Sequence, residues 1–398
     1  MKESLLAKLK RIRFGDIGHV FLFLIALLPA AIYKRKRRHL WLLCEYAKEA
    51  QDNAFALFRY LRKSRPEIDA VYAIDRRSPA RETVEAIGPT VRFGSLKHWI
   101  YYLAAEVNIS SQKGGKPNAA VCYLLEVVLG ILKNRRVFLQ HGVTKDDLPF
   151  LHAENAKLSL FCCAAQPEYE FIRDTFGYAP GVVRHLGFCR FDDLLDAKKD
   201  EDLVLILPTW RMWLERDCNT DAAFRASEYF KGWDAFLNDP ALDALLKETG
   251  KRAVFCVHRN VSRYETCFTS ASDRVSVKKW DEVSVPELLR SAAMLVTDFS
   301  SVYMDFAFMK KPVVYYQFDR ETYRKGHLPK GYFDYERDGF GPIAETGPEA
   351  IGAMRRIIEN GLRMEPCYEE RVDRFFTLRD AHSSERTTDA IKEMIESR

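Results

Sequence analysis

Short apolar runs bounded by polar clusters alternate along this chain with longer stretches in which apolar residues recur every three or four positions. HLWLLCE (39–45) reads as a strand, and KEAQDNAFALFRYLRKSRP (48–66) has helical spacing and ends at a proline. IDAVYAID (68–75) and TVRFGS (90–95) are further strands, WIYYLAAE (99–106) is helical, and VNISSQ (107–112) is a short strand with a polar end. VCYLLEVVLGILK (121–133) is a helix, and RRVFLQHG (135–142) is a strand running into a polar loop. A charged stretch, DDLLDAKKDEDL (192–203), reads as a linker, and the pattern then restarts. Strands are expected at LVLILPTW (203–210), AVFCVH (253–258), MLVTDFSS (294–301) and PVVYYQF (312–318). Helices are expected at DAFLNDPALDALLKET, SVPELLRSAA, VYMDFAFMKK and PEAIGAMRRIIENGL, with a helical tail from Thr377. Strand and helix in strict turn describe a parallel, doubly wound α/β sheet, here twice over.

The expected domains are therefore 39–195 and 203–375, with a C-terminal helix over 376–398. Two such Rossmann-type halves facing a cleft form the GT-B architecture, with ligand at the carboxyl ends of the strands. A length of 398 residues suits two domains, and 47% apolar with 29% charged residues excludes a disordered or polytopic membrane chain. Nine scattered cysteines without a CxxC pair fit a reducing compartment and supply neither a disulfide framework nor a metal site.

Charge changes the picture at one end. Residues 1–38 carry ten basic residues against two acids, a local +8, which leaves a body at −3. That distribution argues against a nucleic-acid partner and for an arm that meets an anionic surface. Within the arm, Val20–Tyr33 is an uncharged run of 14 residues, interrupted by Pro29 and followed by KRKRR (34–38). A helix of that length covers roughly 21 Å, short of the ~30 Å hydrocarbon core. The expectation is a monotopic anchor on the cytoplasmic face of the membrane, drawn by anionic lipid to its basic flanks. A secretory signal and a buried N-terminal helix are the alternatives.

Four places put chemistry just past a strand's carboxyl end. His141, followed by Gly142, can take or give a proton there. PTWR offers the Thr209 hydroxyl and the Arg211 guanidinium, and His258 directly follows AVFCV. Asp298, Ser300 and Ser301 stand between a strand and a helix, where hydroxyls and unpaired N–H groups suit a phosphate, although Ser and Asp are also ordinary N-caps. A base, a cation and an anion cradle together suit phosphoryl transfer. QKGGKP (112–117) is not a GxxxxGK[ST] loop and no GxGxxG follows a strand, so the usual nucleotide motifs are missing. The pairs Asp146/Asp147 and Asp192/Asp193 read as loop or capping acids, and no cofactor or metal is expected.

In these blocks the chain resembles the CDP-glycerol glycerophosphotransferases of teichoic acid and capsule polymer synthesis. LWLLCEYAKEAQDNAFALFRYLRKSRPEI, QHG (140–142), PTWR (208–211) and His258 fall in the family's order. The most specific stretch is ELLRSAAMLVTDFSSVYMDFAFMKKPVVYYQFDRETY with KGYFDYERDGFGPI (330–343). The resemblance implies a GT-B fold and a peripheral place on the membrane. It further implies attack by an acceptor hydroxyl on the β-phosphate of a CDP-polyol, with CMP leaving. The acceptor would be a lipid-linked or oligomeric polyol phosphate or glycan. On that basis His141 is the general base and His258 assists charge on the pyrophosphate. Thr209, Arg211, Asp298, Ser300 and Ser301 bind the donor, and Lys330 and Tyr332 lie at the cleft mouth. The chain departs from the pattern at Val143-Thr144-Lys145, which is one residue tighter than the family's usual run, and at Arg259, where proline is common. The polyol is left open. The fold equally suits a GT-B glycosyltransferase using a nucleotide sugar, and a non-catalytic membrane scaffold is the third reading.

Overall fold

Strand-forming runs and amphipathic helices build two parallel sheets in the computed structural model, which describes residues 14–37, 39–326 and 329–397. In the first sheet the strands are β1 (Leu40–Cys44), β2 (Asp69–Ile74), β3 (Thr90–Arg92), β4 (Val107–Ser110), β5 (Arg136–Phe138), β6 (Leu160–Cys163) and β7 (Val183–His185). Their order is β3-β2-β1-β4-β5-β6-β7. The second sheet holds β8 (Asp200–Ile206), β9 (Arg252–Cys256), β10 (Val275–Lys278), β11 (Ala292–Thr297), β12 (Val313–Tyr316) and β13 (Ile343–Ala344), in the order β10-β9-β8-β11-β12-β13. Strand order reverses beside β1 and beside β8, so β1/β4 and β8/β11 are the switch points at which doubly wound sheets receive ligands.

The chain divides into two units. One contains the residues up to Val143, Leu148–Asp192 and Asp380 onward; the other contains Thr144–Asp147 and Asp193–Arg379. Within the first, alternation along β1 sends Trp41 and Leu43 to one face and Leu40 and Leu42 to the other. Trp41 and Leu43 meet Leu57 and Leu61 of the helix Asn53–Ser64 and Ile391 of the helix Ser383–Glu396. Leu40 and Leu42 meet Trp99 and Tyr102 of the helix Leu96–Ala104, together with Phe23 and Ala26. In the second unit Ile206, Phe255 and Val314 pack under Trp233, Leu245 and Met354.

Three features differ from the sequence reading. The terminal helix is not a separate segment: Ile391 is 0% exposed in the first core, and Asp192 accepts the Ser383 and Ser384 N–H groups at 2.8 and 2.9 Å. The charged stretch is only partly a connection, because β8 already begins at Asp200. Finally, the apolar run belongs to a helix of 23 residues, Phe14–Lys36, that continues through Pro29. Such a helix is ~35 Å long. Phe23, Ala26 and Ala30 are buried, whereas Phe21, Leu24, Ile25, Leu28 and Ile32 are exposed. The basic cluster before Phe14, and Arg38, lie outside the described residues.

Candidate functional site

In the second unit the site grows from β8 and β11, which lie side by side and end at the same edge. The Thr209 N–H donates to Asp298 Oδ1 at 2.8 Å, and the Phe299 N–H donates to the same oxygen at 2.6 Å. Arg211 turns inward. Its Nε and Nη2 donate to the two Asp319 oxygens at 2.7 and 2.9 Å. Its Nη1 donates to the Thr209 carbonyl at 2.9 Å and lies 2.9 Å from Asp298 Oδ2. The rings of Tyr229, Phe299 and Tyr323 surround the guanidinium. Arg211 and Asp298 are each 0% exposed. Both were expected to meet a ligand. Instead they are held on each other and on Asp319, because one guanidinium between two carboxylates is more stable buried and paired than either group alone. Burial raises the Asp298 pKa, against the opposing charge of Arg211.

Ser300 and Ser301 precede the helix Tyr303–Phe308, and the Val302 N–H donates to Ser300 Oγ at 3.4 Å. With only six residues this helix has a weak macrodipole, so any anion affinity there rests on the hydroxyls and N–H groups. His258 follows β9 and caps the turn Arg259–Cys267, with the Asn260 N–H donating to its Nδ1 at 3.2 Å. Its ring stacks on Trp210 at 6.4 Å and lies 5.6 Å from Trp280. Burial first, then the charges of Arg259 and Arg211, lower its pKa to about 4. The imidazole is therefore neutral at pH 7, and since Nδ1 accepts, the proton sits on Nε2.

Lys330 is exposed, 3.5 Å from Asp334 Oδ2, and the Tyr332 ring stacks on Phe375. Between them Gly331 lies so close to the 144–147 segment that a Cβ would come within 2.3 Å of the Lys145 carbonyl oxygen. Lys145 itself is buried, paired with Asp146 and set 5.9 Å over the Tyr335 ring.

In the first unit β5 leads to Gln140 and His141. Gln140 takes a positive φ of 60° and is pinned there: its Nε2 donates to the Cys162 carbonyl at 2.8 Å and to Glu168 at 3.0 Å. Asn53 Nδ2 donates to the Gln140 carbonyl at 2.8 Å, and Asn53 Oδ1 accepts the Arg190 N–H at 3.0 Å. Asp52 caps its helix and pairs with Arg190 at 2.9 Å. Behind it, Glu45 accepts the N–H groups of Gln51, Asp52 and Phe55. His141 is exposed, and the charges that act on it are those of Asp52 and Glu49, which raise its pKa, and of Arg190, which lowers it. A neutral imidazole is the form a general base requires. Asp52, Asn53, Gln140 and Arg190 are not among the expected site residues, although the Asp-Asn turn and QHG (140–142) belong to the blocks that carry the family resemblance. The Asp-Asn pair before a helix was the available signal; nothing near residue 190 pointed to His141. No group of three or more His, Cys, Asp or Glu able to hold a metal occurs among the described residues.

The sequence pattern described as CDP-Glycerol:Poly(glycerophosphate) glycerophosphotransferase matches residues 166–393. The chain is similar to the minor teichoic acid biosynthesis protein GgaB of Bacillus subtilis (strain 168), 29% identical over 409 residues that cover 99% of this chain and 42% of that protein. It is similar also to a teichoic acid poly(glycerol phosphate) polymerase of the same organism, 28% identical over 197 residues, covering 50% of this chain and 24% of that one. The chain thus spans less than half the length of these relatives. In fold it is similar to the wall teichoic acid polymerase TagF, with a TM-score of 0.65 at 16% identity over 97% of this chain and 99% of that one.

Proposed function

We propose that this chain, which belongs to the CDP-Glycerol:Poly(glycerophosphate) glycerophosphotransferase family, moves a polyol phosphate from a CDP-polyol to a hydroxyl of a membrane-linked acceptor. The acceptor oxygen attacks the β-phosphorus, the bond from that phosphorus to the bridging oxygen breaks, and CMP leaves. His141 takes the hydroxyl proton, for which its neutral imidazole is ready. His258, neutral with its proton on Nε2, donates a hydrogen bond to phosphoryl oxygens as charge moves onto CMP. Thr209, Ser300 and Ser301 hold donor phosphate, with Lys330 and Tyr332 as further donor contacts. Arg211 and Asp298 act through Thr209, whose N–H and carbonyl they fix.

The observation that carries this reading is the placement of the two histidines: each follows a strand's carboxyl end, His141 directly after the pinned Gln140 and His258 with its Nδ1 occupied by the Asn260 N–H. CMP release from CDP-glycerol, CDP-ribitol and several UDP-sugars, with a lipid-linked or oligomeric acceptor, tests it. His141→Ala and His258→Ala should each lower kcat by about 10²–10⁴-fold. Full turnover in both variants, or turnover with UDP-sugars alone, overturns the proposal. The exposed apolar face of Phe14–Lys36, with Lys34, Arg35 and Lys36 at its end, supports attachment to the cytoplasmic face of an anionic bacterial membrane.

A further inference from the structure

The loop QKGGKP has no part in the chemistry above, yet it borders a small recess of about 30 Å³ that opens to solvent within the first unit. Asn108 and Ser110 of β4, Arg136 and Phe138 of β5, and Lys113 and Lys116 of the loop line it. Gln112 and Tyr102 add further polar groups, and Val137, Leu151 and Leu158 form the apolar part of the wall.

Its charges do not cancel. Glu126, buried in the π-helical turn Leu124–Val128, pairs with both Lys116 and Arg136 and accepts the Tyr102 hydroxyl proton. One carboxylate therefore answers two buried cations, Lys116 and Arg136; Lys113, also at the wall, donates to the Phe150 carbonyl. π-Turns of this kind concentrate at functional sites. Arg136 is saturated further by the carbonyls of Ala156 and Lys157. Lys116 is 8% exposed, and an ammonium has three protons to donate, of which Glu126 takes one. Burial, and next the Arg136 charge, lower its pKa, a strain that an added anion would relieve.

Asn108 supplies the complementary need. It is 7% exposed, and its Nδ2 donates to the Tyr102 carbonyl at 3.1 Å. Its Oδ1 is buried and has no hydrogen-bond partner among the described residues. Water could meet that oxygen, but water would leave the excess positive charge unanswered.

We infer that this recess binds a phosphate ester that carries a free hydroxyl. The phosphate lies beside Lys116 and Lys113, the hydroxyl donates to Asn108 Oδ1, and the carbon chain rests on Phe138 and Leu151. A polyol phosphate from an acceptor strand and the headgroup of a glycerophospholipid share this chemistry. The inference rests on the proposed function only where it identifies the ligand as part of the acceptor.

Calorimetric titration of the full chain with glycerol 3-phosphate, and flotation with phosphatidylglycerol or phosphatidylcholine vesicles, separate the sources. Lys116→Met leaves Glu126 paired with Arg136, and Asn108→Asp keeps the side-chain shape while repelling phosphate; circular dichroism checks both folds. Saturable glycerol 3-phosphate binding that each variant weakens at least tenfold supports the soluble source. Binding to phosphatidylglycerol vesicles alone, weakened by Lys116→Met, supports the lipid. No binding to either probe, or wild-type binding by both folded variants, overturns the inference. CMP release is scored separately. Turnover without binding here removes the recess and spares the function; Lys116-dependent binding without turnover does the reverse.

Discussion

At the scale of single residues, His258 couples the fold to pH with a definite sign. Its pKa is about 4 in the folded chain against an ordinary 6.5, so between these values the unfolded chain binds the extra proton. Stability from this group is complete above 6.5 and lost as pH falls towards 4, a change of roughly 3 kcal/mol. Urea unfolding at pH 7 and pH 4 should therefore show a smaller difference in His258→Asn than in the unaltered chain, by about that amount. An equal difference in the two proteins would show that the ring titrates normally. Residue-level legibility stopped at partners. Arg211 and Asp298 read from sequence as lying just past strand ends, and they do follow β8 and β11, but whether polar groups there face ligand or each other depends on Asp319, 108 positions after Arg211. His141 was equally visible, whereas Asp52 and Arg190, 138 positions apart, meet only after the sheet has formed.

Among the elements, the helix Phe14–Lys36 shows why pattern alone underestimates length. The uncharged run began at Val20, but the helix includes Asp16 and His19 because each has a partner: Asn118 Nδ2 donates to Asp16 at 2.7 Å, and Trp99 Nε1 donates to His19 Nδ1 at 3.1 Å. Its buried face is set against the core, and its outer face remains apolar. Leu24→Glu with Leu28→Glu should abolish sedimentation with anionic vesicles while leaving the melting temperature within a few degrees, because both side chains are exposed. Undiminished sedimentation would refute the anchor. The strands β6, β7, β10 and β13 went unrecognised, whereas β3 and β5, of three residues each, were read because the polar turn residues that follow them mark an end.

Across the whole molecule, the alternation of strand and helix revealed two parallel sheets, but not the path by which the chain completes them. The terminal stretch returns to the first unit, where Arg386 Nε donates to the Leu186 carbonyl at 2.9 Å and Arg386 Nη1 to Asp380 at 2.8 Å. Sequence could not show this, since an amphipathic helix reads the same whichever core receives it. Ending the chain at Arg379 should leave the second unit's residues intact while exposing the core around Leu57 and Leu61. Limited proteolysis should then cut within 40–140 far faster than within 200–375, and equal protection of both would count against this assignment. The same return has a consequence for biosynthesis. Domains ordinarily fold in the order in which the ribosome delivers them. Here the first unit to be translated is the last to be completed: it must wait, with the face that receives Ile391 uncovered, until residues 383–396 clear the exit tunnel. The second unit, whose residues end at Arg379, is ready before them. A nascent chain therefore carries an open apolar face through the synthesis of nearly two hundred later residues, and that interval is when it most needs a chaperone.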